Sequence, residues 1–324
     1  MKQNTEKHHY VPETYLKQFS NDENGNLFYL KLHSPYSENV KPTNASKICY
    51  IPNFHIINDY TNHFYQLNNK NFIEKKCFPY EKELQNVLEI FTQNQYTLSR
   101  DIANKLIYFM FHMKYRNPSY RELLAHGFKN NTEKVEKNIE ELAEKLKNLP
   151  KTFLEQHFSD TNIQKSLTNE YNKWLSDANN LNEIHKRGLL DIFNNDNNVF
   201  KSVCNFFNGL TLFVSKAPNN EYFITSDNPG YFVDKQERVC NFGIDNADSF
   251  HFPLSHKYLL SFILEDKEPS LTIFKNVKEM KTTKDFVHLL NIGTALNARE
   301  NIFSNNKATL EQLKIDLKLK NICK

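Results

Sequence analysis

The chain has 324 residues, 39% of them hydrophobic and 24% charged, with 26 Phe and 16 Tyr. That supply of apolar and aromatic side chains supports a sizeable core and excludes global disorder. The net charge of +3 neither requires nor excludes a nucleic-acid partner, because a local patch matters more than the total.

The first ten residues, MKQNTEKHHY, lack the apolar segment of a signal peptide. No apolar run approaches the roughly 20 residues that span a bilayer. Cys49, Cys77, Cys204, Cys240 and Cys323 are widely spaced with no CxxC, which points away from a disulfide scaffold or cysteine-ligated zinc. The expectation is a reduced, cytoplasmic protein with no membrane partner. GxGxxG and the P-loop pattern are absent, against the usual nucleotide folds.

Residues 7–19 read KHHYVPETYLKQF. Pro12 holds Val11 extended and suits the first position of a helix, with Glu13 near the positive end of its dipole. Tyr15, Leu16 and Phe19 would face a core. Asn24-Gly25 predicts a tight turn leading into a strand over 27–32. Residues 35–60 read as loop and short strands.

From Phe72 the pattern turns helical. Leu84, Val87, Leu88 and Phe91 share one face, and Ile102, Leu106, Phe109 and Met113 form the stripe of a central helix that Asn117-Pro118 ends, with Arg116 at its terminus. In TEKVEKNIEELAEKLKNLP, Glu and Lys interleave at helical spacing, the mark of a solvated face. Helices continue through IQKSLTNEYNKWLSDANNLNEIHKRGLLDIF.

After residue 198 short β-type runs take over: LTLFVSKA, EYFITSDNPGYFV, SFHFPLSHKYLLSFIL and SLTIFKNV. They predict an antiparallel sheet. A last helix, TTKDFVHLLNIGTALNA, precedes a short strand, ENIFSN, and a charged tail. Segregated helices and strands define an α+β class. We expect one elaborated domain over 1–324, with a helical middle at 72–198, a β-rich part at 199–305, and an N-terminal strand able to join the C-terminal sheet.

These landmarks recur together in one family. HHYVPETYLKQF, FIEKKCFPYEKELQNVL, KYRNPSYREL, YFITSDNP, FPLSHKYLL and NARENIFSN resemble the uncharacterised bacterial family catalogued as domain of unknown function 4238. The similarity runs from His8 to about Asn305. It implies hallmark positions at His8, His9, Glu74, Ser226, Asp227, Asn228 and Pro229. The family's Gln-plus-Arg pattern before Asn117 survives here as Arg116, with His112 in the polar position. The resemblance implies a shared site and carries no assigned activity.

Each candidate has two readings. In an extended segment His8 and His9 point to opposite faces, so one would sit at a site and the other pack or hydrogen-bond behind it; equally, both could cap the helix start. HHYVP has a local likeness to the histidine strand end of HNH-type nucleases, without the strand that normally precedes it. Asp227, where a strand leaves the sheet, is placed to bind a hard cation or orient a histidine, with Asn228 beside it; Asp and Asn before Pro also initiate turns on their own. Glu74 would align with Glu81 on an unbroken helix, which Pro79 interrupts. Arg116 could cap its helix or clamp an anion. His251 and His256 are as readily structural.

The expected function is a metal-dependent phosphodiester hydrolase of nuclease-effector type. His8, His9, Asp227 and Asn228 would be catalytic, Arg116 and Ser226 would hold substrate, and Asp227, His9 and Glu74 would bind Mg²⁺, Mn²⁺ or Zn²⁺. The partner would be nucleic acid or a phosphorylated small molecule. The alternative is a non-catalytic binding or regulatory protein in which the same residues fasten the N-terminus onto the C-terminal sheet.

Overall fold

Apolar side chains at alternate positions of SFHFP and on both faces of YLLSFI demand a sheet covered on at least one side, and the helices of the middle region supply the cover. The structure, a computed structural model, describes residues 6–32, 39–67, 69–76, 80–81, 83–94, 97–130, 132–148, 162–193, 198–242, 247–264 and 274–319. Pro79, Cys77 and Cys323 lie outside the described residues.

The N-terminal segment holds β1 (Lys7–His9), α1 (Glu13–Leu16), β2 (Asn26–Lys31), β3 (Lys41–Asn44) and β4 (Tyr50–Pro52). β1 and β4 pair antiparallel, with His8 opposite Ile51. The Asn24-Gly25 turn forms as expected, with Gly25 at φ +81°, a backbone conformation that favours glycine.

The helical region comprises α2 (Asp59–Phe64), α3 (Phe72–Lys76), α4 (Glu83–Thr92), α5 (Arg100–Tyr115), α6 (Pro118–Asn130), α7 (Thr132–Lys147), α8 (Ile163–Ser176), α9 (Ala178–Phe193) and α10 (Asn198–Gly209), with a short strand, β5 (Thr97–Ser99), ahead of α5. Ser99 caps α5 by accepting the Ile102 N–H. α10 extends the helical region past the expected boundary at residue 198. Its Val203 and Phe207 are one turn apart and buried in the core, a helical period hidden by the Phe and Val content of the segment.

The remaining strands are β6 (Thr211–Lys216), β7 (Thr225–Ser226), β8 (Tyr231–Asp234), β9 (Val239–Cys240), β10 (Ala247–Pro253), β11 (Tyr258–Ile263), β12 (Phe274–Met280) and β13 (Asn301–Ser304), with α11 (Lys284–Asn297) and α12 (Lys307–Leu319) around the last of them. The charged tail is thus largely a helix: Leu310, Leu313 and Leu317 recur at helical spacing and are buried. The large sheet runs β5-β12-β6-β11-β10-β8-β9. It is antiparallel except where β12 lies parallel to β6. A four-stranded sheet, β3-β2-β13-β7, joins the N-terminal strand to C-terminal ones. The fold is therefore α+β.

On β10, Phe250 and Phe252 face α5 and α10, and His251 faces away. Phe250 meets Phe232 and Phe207 at ring distances of 4.6 and 5.4 Å, and Phe252 meets Tyr15 of α1 at 5.6 Å. Each fully buried ring contributes roughly 1.5–3 kcal/mol. Tyr15 also donates its hydroxyl to the Pro253 carbonyl at 2.7 Å and shares a hydrogen bond with Thr225 at 2.8 Å. A second core, with Leu30, Ile224, Ile302 and Leu313, lies between the four-stranded sheet and helices α11 and α12. No helix among the described residues is long and apolar enough to cross a membrane.

Candidate functional site

The β1–β4 pairing determines what surrounds the paired histidines. Alternation along β1 turns His8 inward, to 2% exposure. Its Nδ1 accepts the backbone N–H of His55, just past β4, at 2.8 Å. A neutral His8 therefore carries its proton on Nε2, which lies 3.5 Å from Glu6 Oε2. The two imidazoles stack at 5.6 Å and 14°. His9 instead leans on the Tyr50 ring at 5.6 Å.

Glu74, in the first turn of α3, reaches into this pair. Its carboxylate bonds His55 Nδ1 and lies 4.0 Å from His8 Nδ1. His8, His55 and Glu74 each offer a donor atom, and the three atoms lie within 4.8 Å of one another. Burial lowers the His55 imidazole to about 4 despite the carboxylate beside it. Burial pushes the Glu74 carboxyl up, but the His55 hydrogen bond and nearby positive charge outweigh that and hold it down at about 2. Near pH 7 the pair is a neutral imidazole donating Nδ1–H to an ionised carboxylate, an arrangement that orients metal-ligating histidines.

The end of α5 adds a charge. His112 and Arg116 stand one turn apart and share a side of the helix. Arg116 is buried and donates to Glu81 at 2.9 Å. Its charge acts on His9, His55, Glu74 and His112, beside the carboxylates of Glu81 and Glu6. Burial lowers His9, and drives His112 well below the usual imidazole range.

The TSDNP turn forms a separate site. Asp227 is buried, and its carboxylate accepts the backbone N–H of Arg299 at 2.8 Å and those of Glu300 and Asn301 at 2.9 Å. Burial raises its carboxyl to about 6, against the downward pull of these bonds. Ser226 Oγ accepts the Asn228 N–H at 3.1 Å, closing the turn on itself. Asn228 donates to the Asn297 carbonyl and to Asn241 Oδ1, both at 2.9 Å. Gly230 follows at φ +75°, where any Cβ would press into Phe250 and Phe252.

The expected residues thus divide. His8, Glu74 and Arg116 belong to one cluster, with His9 within reach of its charges. Ser226, Asp227 and Asn228 belong to the turn. No hydrogen bond or ion pair among the described residues joins Asp227 to His8, His9 or Glu74. Asn117, which donates to the Asp227 carbonyl at 2.7 Å, links the turn to the end of α5. His55 is the member that sequence reasoning missed. It follows no motif, and only the β1–β4 register, 47 residues from His8, brings it in. Glu81, weighed beside Glu74 in the sequence, pairs with Arg116; Lys114 was hidden, its signal being a lysine inside the apolar FMFHMKY run.

Residues 7–308 match the family described as protein of unknown function (DUF4238), and the chain belongs to that family. No curated protein and no solved structure matches it.

Proposed function

We propose that the protein is a metal-dependent phosphodiester hydrolase of nuclease type, with its metal held by His8, His55 and Glu74. The observation that carries this reading is the convergence of two buried imidazoles and a carboxylate beside the Arg116 guanidinium. Two nitrogens and one oxygen suit Zn²⁺ or Mn²⁺ better than Mg²⁺, which prefers an all-oxygen set. A bound metal would polarise a phosphoryl oxygen or acidify a water. The chain's own part is positional: the His55 N–H orients His8, Glu74 orients His55, and Arg116 supplies the charge that favours an anionic substrate. His9 is the candidate base, since burial keeps its imidazole neutral near pH 7. The free Cys49, Cys204 and Cys240 thiols suit a reducing, cytoplasmic setting.

The test is cleavage of single- and double-stranded DNA and RNA by the purified protein with Mn²⁺, Zn²⁺ or Mg²⁺, beside folded His8→Ala and Glu74→Gln variants. Metal-dependent cleavage that both variants lose is the expected result. Cleavage that survives both, or no cleavage of any of these substrates, would overturn the proposal.

One observation favours a second reading. His8 Nδ1 already accepts the His55 backbone N–H, so the cluster can serve as a buried network that fastens β1 in a binding or regulatory protein. On that reading His8→Ala lowers stability and metal ions leave the parent protein's melting temperature unchanged.

A further inference from the structure

Lys114 lies two residues from both His112 and Arg116, so on α5 it faces away from the histidine cluster. It is fully buried, and its Nζ donates to Asn241 Oδ1 at 2.8 Å and to Asn228 Oδ1 at 3.2 Å. The Phe242 ring is 5.8 Å away. No ion pair among the described residues involves Lys114. An ammonium buried without a counter-charge costs several kcal/mol. A packing role alone would be met by Met or Leu. Burial accordingly drives the amine well below the usual lysine range.

The amides that hold Lys114 also border a cleft. Asn228, Asn241 and Phe242 line this cleft of about 560 Å³, together with Asn297, Arg299 and Ser119. Asn297 is itself buried and gives both its N–H bonds to the Asn228 and Gly230 carbonyls, at 2.7 and 2.8 Å. Its Oδ1 is buried with no hydrogen-bond partner. Arg299 stands on the cleft wall, held by Glu122 at 2.9 Å and Glu300 at 3.5 Å. Among the described residues, a buried amine without a negative partner and a buried oxygen without a donor thus adjoin one cleft.

We propose that this cleft binds a small oxyanion carrying a hydroxyl group, with Lys114 as its charge partner. The anion replaces the Asn241 oxygen on Nζ, and the ligand hydroxyl donates to Asn297 Oδ1. The exchange gives the ammonium a counter-charge that none of the described residues supplies and fills the unused acceptor. The proposal does not rest on the metal cluster across α5; loss of one reading leaves the other standing.

The experiment is calorimetric titration of the full chain with inorganic phosphate, glycerol 3-phosphate and malate, which separates a phosphate from a hydroxycarboxylate. At least one is expected to bind with a Kd below 1 mM. Lys114→Met should weaken it about 10- to 100-fold, the range of one charge-assisted hydrogen bond, while raising the melting temperature through removal of the buried amine. Asn241→Ala removes the oxygen that the anion must displace from Nζ, so it should tighten the same ligand and keep the fold, and the test does not depend on the lysine variant folding. Binding by none of the three, or equal binding by both variants and parent, would overturn the proposal.

Discussion

The His55 backbone N–H donates to the Nδ1 of His8 at 2.8 Å, so the ring of the first histidine is fixed by the main chain of the turn that follows β4. The lone pair of His8 and the position of His55 are therefore one structural quantity. Any change at His8 is felt twice, as a lost side chain and as a buried N–H left without an acceptor.

That coupling can be measured. His8→Ala should cost on the order of 2 kcal/mol, because the buried His55 N–H loses its partner. Urea denaturation checks this. Glu74→Gln keeps the shape of the side chain but removes the carboxylate that both binds the metal and orients His55, and Zn²⁺ affinity, read by competition with a chromophoric chelator, should fall by at least about 10- to 100-fold. Unchanged affinity in Glu74→Gln would remove the cluster as the metal site.

Asp227 predicts a distinct pH signature. Its folded carboxyl is raised to about 6 by burial, above an unfolded value of about 4. Between those values the folded chain holds a proton that the unfolded chain releases. Its contribution to stability is therefore intact below pH 4 and declines as pH rises through 6, by on the order of 3 kcal/mol. Asp227→Asn removes this slope. It also sets an amide N–H against the backbone donors at 299–301, so it should be less stable than the parent throughout. Denaturant midpoints at pH 4 to 8 report both effects; parallel profiles for parent and variant would refute the first.

Gly293 reverses a common expectation. Replacing a helical glycine with alanine usually stabilises by roughly 0.5–1 kcal/mol. On α11, however, a Cβ at 293 would overlap the Tyr231 ring, whose hydroxyl donates to the Leu290 carbonyl at 3.2 Å. Gly293→Ala should therefore destabilise by about 1–3 kcal/mol. Tyr231→Ala in the same chain should recover part of that loss relative to the sum of the single changes. Additive losses would show that the two do not touch.

Tyr15 joins the two larger sheets, since its hydroxyl meets Pro253 on β10 and Thr225 on β7. Tyr15→Phe keeps the ring packing and should cost about 2 kcal/mol in thermal or urea unfolding. A loss under about 0.5 kcal/mol would mean that the hydroxyl does little beyond fitting the space.

How much of this was legible beforehand depended on range. Pro12, the Asn24-Gly25 turn, the stripe through Leu106 and Phe109, and the alternation around Phe250 and Phe252 are local signals, and each became the element it predicted. The local period failed where apolar content was ambiguous, at α10, and where charge masked a leucine stripe, at α12. The site was legible in composition but not in assembly. Glu74 and the paired histidines stood out through family resemblance, whereas His55 depends on a strand pairing that no local pattern encodes. TSDNP announced a turn, and its carboxylate bonds residues 299–301 through a register that only β13 beside β7 creates.

The four-stranded sheet sets an order on synthesis. β2, at residues 26–31, gains its second neighbour only when β13, at residues 301–304, has been made. At roughly 5–20 residues per second, β2 leaves the ribosome tens of seconds before that partner. For that interval the nascent chain carries an open strand edge that can recruit other chains. Completion of the sheet therefore waits on β13, and a truncation before residue 301 should yield aggregation-prone chains rather than a smaller folded protein.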